Sequence, residues 1–353
     1  MNVLVTGGAG YLGSVLVPKL LARGHKVRVS DVGYFGVSHL RSYRSGVELI
    51  REDLTRILND KKFGAELVRD MDCIISLAAI SNDPSAELYP ELTTAVNVDA
   101  TVALAQIARS KKVRFIFSSS CSVYGEVDGA VDEESPLDPL SLYAVSKLKC
   151  EEVLRQMAER EWSPIILRNG TLFGYSARMR FDLVVNIFSL YSTLHNAVKV
   201  FGRGDEWRPF LHVSDCARAM VFVAEKTRCR HMCYNVAHEN LRVIDVARIF
   251  AALNPRLKIS HIELPNQDAR DYRVSAKRLE REGFRTRVGV ASGAEEMNDA
   301  IVSGVIEDPE SIFYRNVKWL KELTEVGSKS HLDLMTLMET MAHVSPPKKP
   351  HGT

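Results

Sequence analysis

Seven residues close to the N-terminus limit this chain more than any others: Gly7-Gly8-Ala9-Gly10-Tyr11-Leu12-Gly13. A short apolar strand, Val3-Leu4-Val5, stands before them. After them a helical pattern runs through Val15, Leu16, Leu20 and Leu21, with Gly24 as its stop. In such a turn Gly7 permits the tight bend and Gly10 lets a pyrophosphate approach the backbone. Gly13 lets helix and strand pack closely. The phosphates then rest on free N–H groups at the helix N-terminus. A flexible loop can carry the same letters, so the strand before and the helix after are what point to a dinucleotide site.

The rest of the N-terminal half keeps this rhythm. A second strand, Lys26–Ser30, ends at Asp31, whose carboxylate can accept hydrogen bonds from ribose hydroxyls and repels a 2′-phosphate. That favours NAD over NADP. Val47–Ile50 reads as a third strand running into Asp53-Leu54, and 72–79 as a fourth, apolar in its middle. A helical pattern covers 92–110, then 113–117 reads as a buried strand with the serines after it. Strands alternating with helices predict an α/β fold, a doubly wound parallel sheet of the Rossmann kind. Ligands bind such sheets at the carboxyl ends of the strands, where the glycine loop, Asp31, Ala78 and Ser120 fall.

A helical pattern over 141–161 carries Tyr143 and Lys147, four apart and so on one face. A lysine charge there can lower the phenol pKa from about 10 towards neutrality, and a serine hydroxyl can bond the same oxygen. A solvated surface pair is the ordinary alternative. A strand over 163–168 follows, and 169–212 reads as irregular, with Arg178, Arg180, Arg203 and Arg208 among aromatics. The last helical patterns, 291–304 and 309–324, read as the cover of a smaller second domain, and the proline-rich 345–353 as unfolded.

Composition excludes more than it selects. Of 353 residues 46% are hydrophobic and 25% charged, with a net charge of +2, which argues for neither nucleic acid nor membrane. No apolar run reaches the ~20 residues of a membrane span. Cys73, Cys121, Cys150, Cys216, Cys229 and Cys233 lack metal-ligand spacing, so reduced thiols, no metal and a cytoplasmic protein without a signal peptide are expected.

Taken together, the motifs resemble the extended short-chain dehydrogenase/reductases, in their nucleotide-sugar epimerase/dehydratase branch. The likeness covers roughly 1–325 and rests on Gly7–Gly13, Asp31, Asp53-Leu54, Leu77-Ala78-Ala79, Asn97-Val98-Asp99-Ala100-Thr101, Ser118 to Gly125, Tyr143 to Lys147, Arg168 to Gly174 and Arg208 to Val213. It implies a homodimer, NAD as cofactor and a nucleotide-diphosphate sugar as substrate. The implied domains are 1–170 for the cofactor and 171–326 for the substrate, with 327–353 as an extension. The implied catalytic group is Tyr143 as base, with Lys147 and Ser120. Gly7, Gly10, Tyr11, Leu12, Gly13, Asp31, Asp53, Leu54, Leu77, Ala78, Ala79, Asn97, Tyr143 and Lys147 would hold the cofactor. Ser122, Thr171, Arg180, Arg208 and Arg270 would face the substrate.

The departures from the family pattern all lie on the substrate side: Thr171 for an asparagine, Gly174-Tyr175 for Gly-Pro, Arg208-Pro209 for Arg-Asp and Ala269-Arg270-Asp271 for Arg-x-Gly-Asp. Dehydratases of this branch carry an aspartate and a glutamate directly after the serine or threonine, where this chain has Cys121 and Ser122. The expectation is therefore epimerisation at a sugar carbon, most simply carbon 4. A dehydrogenase or keto-sugar reductase is the alternative, ahead of a 4,6-dehydratase, a reductase of non-sugar substrates or an inactive NAD-binding regulator.

Overall fold

Asn2–Thr6, apolar at Val3-Leu4-Val5, forms β1, an inner strand of the main sheet of the computed structural model, which describes residues 1–43, 45–263 and 270–330. On one side lie β2 (Lys26–Ser30) and β3 (Val47–Ile50). On the other lie β4 (Cys73–Ser76), β5 (Arg114–Ser120), β6 (Ile165–Asn169) and β7 (Cys233–Val236). The order is 3-2-1-4-5-6-7 and every pairing is parallel. Strand order reverses between β1 and β4, so the crevice beyond their carboxyl ends is the natural ligand site.

Side chains of β1 alternate between two cores. Val3 and Val5 pack with Leu16 and Val29 under the helices Gly13–Ala22 and Val213–Glu225. Leu4 packs with Ile74, Leu104, Phe115 and Leu154 on the other face. Every residue of β4 and of β6 is buried, as strands covered on both faces must be. A third core, around Phe173, Phe188, Phe210 and Phe250, belongs to the chain after β6. No helix among the described residues is long and apolar enough to cross a membrane.

Four local readings are corrected. β5 runs on to Ser120, because Ser119 and Ser120 pair with Arg168 and Asn169. The helix expected over 92–110 is continuous from Pro90 to Ser110 but not α-helical throughout, with a π-helical stretch Ala95–Ala100 between Pro90–Thr94 and Thr101–Ser110. The segment 169–212 is far from irregular: it holds strands Thr171–Phe173, Ala197–Phe201 and Trp207–His212 and the helix Val184–His195. That helix packs against the helices Val243–Leu253 and Val290–Val302 and the strand Ala197–Phe201, and its polar residues Asn186, Ser189 and Ser192 are buried along with the apolar ones, so its polar positions mark no solvent face. The helix Asn316–Ser330, expected to cover the second domain, lies on the N-terminal half instead. Trp319 Nε1 donates to the Tyr34 carbonyl at 2.6 Å, and the Tyr89 hydroxyl to Thr324 Oγ1 at 2.8 Å. Ala269 and the tail 331–353 lie outside the described residues.

Candidate active site

The glycine turn is shaped by contacts that forbid side chains. Gly7 has φ +69°, and a Cβ on it would stand 2.7 Å from the Ala78 nitrogen at the end of β4. On Gly13 a Cβ would stand 2.5 Å from the Gly8 carbonyl oxygen. The helix Gly13–Ala22 begins with no side-chain cap and no acidic residue in its first turn. The N–H groups of Ser14, Val15 and Leu16 are taken by the Gly10 and Leu12 carbonyls, and the positive end of the helix dipole remains available to an anion.

Asp31 closes the next edge. Its carboxylate accepts from the Ala9 N–H at 2.9 Å and the Gly33 N–H at 2.8 Å, tying the end of β2 to the glycine turn. Burial raises its pKa, while these bonds and the charges of Arg178 and Arg51 oppose the rise. Each oxygen keeps a lone pair for a further donor. Asp53 and Leu54 line the same end of the cleft, with Asp53 also capping Thr55 at 2.8 Å.

Tyr143 and Lys147 stand at the far end, on the helix Leu142–Met157 capped by Ser141. Lys147 Nζ donates to the Ser118 carbonyl at 2.8 Å, and burial pulls its pKa down to about 8. Burial pushes the Tyr143 phenol up to about 12, with Asp83 adding to the rise. Arg180, Arg270 and the hydrogen bond with Ser120 work against it. Lys147 Nζ stands 5.6 Å from the centre of the Tyr143 ring.

The cleft, about 1220 Å³ of empty space with part of it open to solvent, is lined by Gly7, Gly10, Tyr11, Leu12, Gly13, Asp31, Asp53, Leu54, Leu77, Ala78, Ala79, Tyr143, Lys147 and Arg180 among the residues expected there. Asn97 is not on its wall. It sits in the π-helical stretch and clamps Ile80, accepting from its N–H at 2.8 Å and donating to its carbonyl at 3.1 Å. Its amide also reaches Ser146 at 3.2 Å, so it ties the loop after β4 to the Tyr143 helix. Ser122 is buried and donates to Ser120 at 2.9 Å, which makes it a support for Ser120 away from the cleft wall. Arg208 donates to the Arg270 carbonyl, and Arg270 pairs with Asp83 at 3.1 Å. Thr171 is paired in register with Phe210.

Four cleft residues carry no sequence signal that marks them: Phe35, Ser81, Arg178 and Asn316. In the sequence Arg178 stands only as one arginine among several. Cys121 is buried, its thiol directed at the Arg168 carbonyl at 3.3 Å and its pKa raised by burial. Among the described residues no cluster could hold a metal ion.

The sequence model of the NAD dependent epimerase/dehydratase family matches residues 3–237. The chain is 29% identical over 279 residues to an uncharacterized UDP-glucose epimerase, YtcB, of Bacillus subtilis, covering 74% of this chain and 84% of that protein. It is 28% identical over 231 residues to UDP-glucuronic acid decarboxylase 1 of Danio rerio, covering 62% of this chain and only 53% of that protein. Among solved structures, UDP-glucuronic acid 4-epimerase from Bacillus cereus in complex with UDP-glucuronic acid and NAD superposes with a TM-score of 0.74 at 25% identity, over 86% of this chain and 99% of that one.

Proposed function

Since the chain belongs to the NAD-dependent epimerase/dehydratase family, we propose that it is a nucleotide-sugar epimerase that oxidises a sugar carbon, carbon 4, transiently to a ketone. The cleft suits the cofactor: an uncapped helix N-terminus for the pyrophosphate and Asp31 for the ribose. Bound NAD supplies the hydride acceptor and donor and, when oxidised, a positive charge that favours the phenolate of a neighbouring tyrosine. Tyr143 takes the sugar hydroxyl proton and later returns it, with Ser120 bonded to the same oxygen. Lys147, fixed by the Ser118 carbonyl, holds the ribose beside it. Thr171, Arg208 and Arg270 are assigned to the substrate, whose diphosphate suits guanidinium groups.

Epimerisation is carried by the two residues directly after Ser120. Elimination of water needs two further proton-transfer groups beside the ketone. The thiol of Cys121 is buried against a carbonyl with its pKa raised, and Ser122 is buried and a very poor acid or base. The carboxylates on the cleft wall, Asp31, Glu52 and Asp53, belong to the opposite end, and Asp83, which acts on Tyr143, is engaged by Arg270 and the Ser141 hydroxyl. Epimerisation asks only for proton and hydride removal, rotation of the ketone and return of both.

The test is incubation with a panel of UDP-, GDP-, CDP- and dTDP-sugars without added reductant. A pair of epimers supports the reading. A 4-keto-6-deoxy sugar, or carbon dioxide from UDP-glucuronic acid, overturns it, and net reduction of added NAD points to a dehydrogenase. We further assign a twofold dimer to the helices Thr101–Ser110 and Leu142–Met157, where Val145 is 41% exposed and Val102, Leu148 and Val153 are half-buried. A monomer in sedimentation at micromolar concentration would count against the dimer.

A further inference from the structure

Two arginines, two residues apart, are held in opposite ways. Arg180 is gripped by Asp182 through Nε at 3.0 Å and Nη2 at 2.8 Å. Arg178 has no carboxylate in salt-bridge reach among the described residues, although it is only 2% exposed. Its Nη1 donates to the Met179 carbonyl at 3.0 Å and its Nη2 to Asn316 Oδ1 at 2.6 Å. Its guanidinium lies 3.7 Å from the centre of the Phe35 ring. The buried Nε has no hydrogen-bond partner. Burial, with Arg180 adding to it, pulls the pKa down to about 9.

Asp182 and Asp31 act on this cation only at a distance, and a buried cation whose direct partners are all neutral is costly unless an opposite charge meets it. Yet the chain holds this one in place with a ring, an amide and a carbonyl. Its backbone is anchored at the glycine turn: Ser176 Oγ donates to the Tyr11 carbonyl at 2.7 Å and accepts from the Arg178 N–H at 3.3 Å. Arg178 lines the cleft together with Gly10, Tyr11 and Leu12. Those residues lead into the helix whose N-terminus lacks both a cap and an acid.

We propose that Arg178 pairs with the pyrophosphate of the bound dinucleotide, completing from the second half of the chain the anion site that the helix N-terminus begins. Phe35 and Asn316 are then positioning residues, and the buried charge is neutralised when the cofactor binds. A bidentate guanidinium–phosphate pair suits the planar fork of arginine and would be poorly served by lysine. The proposal rests on the reading of the cleft as a dinucleotide site.

The test uses full-length protein freed of nucleotide, titrated calorimetrically with NAD, ADP, adenosine and UDP and melted with and without NAD. Arg178→Met should bind NAD and ADP roughly 10- to 100-fold more weakly and adenosine unchanged. Without ligand it should melt at the same or a higher temperature than wild type, because an uncompensated charge has gone. Its NAD-induced rise in melting temperature should shrink. Arg178→Lys should fall between the two and serves if the methionine variant does not fold. A variant that loses stability without ligand but keeps full NAD and ADP affinity makes the arginine merely structural and overturns the proposal. So does a loss confined to UDP. Wild-type protein that bound neither NAD nor ADP would overturn the dinucleotide reading itself and this assignment with it. Wild type binding both, with Arg178→Met binding them equally well, overturns this assignment alone.

Discussion

The two walls of the cleft are built by different means. On the wall from Gly7 to Lys147 the constraints act through backbone. Gly7 and Gly13 have no room for a Cβ, and Asp31 accepts from two main-chain N–H groups. On the wall from Leu172 to Asn316 they act from side chain to side chain across long distances in sequence, as in Arg178 with Asn316. Backbone constraints leave glycines and caps at fixed spacing. Side-chain constraints can be met by many pairs, and a chain can change them without changing the fold. The first wall is thus suited to a fixed cofactor, and the second, apart from the Arg178–Asn316 pair, to a substrate that varies.

The largest effect that can break this comparison lies on the first wall. Tyr143→Phe should lower turnover by about 10²–10⁴-fold and leave calorimetric NAD affinity within about twofold. Loss of both together would make Tyr143 part of the framework, and the division into chemistry and support would fail.

Next in size is the support beneath the Tyr143 helix. Glu151 accepts from Arg168 at 3.0 Å and 2.7 Å and from the Ser119 hydroxyl at 2.5 Å, all fully buried. Glu151→Ala strands the Arg168 cation and should cost about 3–5 kcal/mol in urea unfolding. A loss below about 1 kcal/mol would mean that packing and the β5–β6 ladder hold these elements together without the ion pair.

The sequence reveals the first wall because its groups are adjacent in the chain. Val3 to Gly13, Asp31 and Tyr143-x-x-x-Lys147 are each read within one element, and the parallel order follows from their rhythm. Helix Val184–His195 escapes because partners on several sides bury its polar residues, Asn186, Ser189 and Ser192, together with its apolar ones. Asn97 is legible as a site residue but not its manner of acting, since that depends on Ile80 and Ser146 brought close only by folding. Phe35 and Asn316 gain meaning only from Arg178, which no spacing connects to them.

A smaller effect sharpens the cofactor end. Asp31→Asn removes the charge that repels a 2′-phosphate and, because its amide nitrogen cannot accept, one of the two main-chain bonds from Ala9 and Gly33. Affinity for NAD should fall about tenfold, and the preference for NAD over NADP should narrow, both by calorimetry. An unchanged preference would move the discrimination elsewhere on the wall.

The smallest effect asks whether the final helix belongs to the site or only covers it. Trp319 Nε1 donates to the Tyr34 carbonyl at 2.6 Å, in the loop that also presents Phe35. Its ring meets Phe313 edge-on, with centroids 5.2 Å apart. Trp319→Phe keeps an aromatic ring there but removes the donor, leaving a half-buried carbonyl that water can partly satisfy. One neutral hydrogen bond is worth about 0.5–1.5 kcal/mol, so unfolding should shift by that much. If the helix steadies Phe35 and through it the guanidinium of Arg178, NAD affinity should fall in step, roughly two- to tenfold. If the helix is a cover alone, stability should change and NAD affinity should not. The second result would confine the second wall's contribution to Arg178 and Asn316, with the rest of the C-terminal helix serving only the stability of the fold.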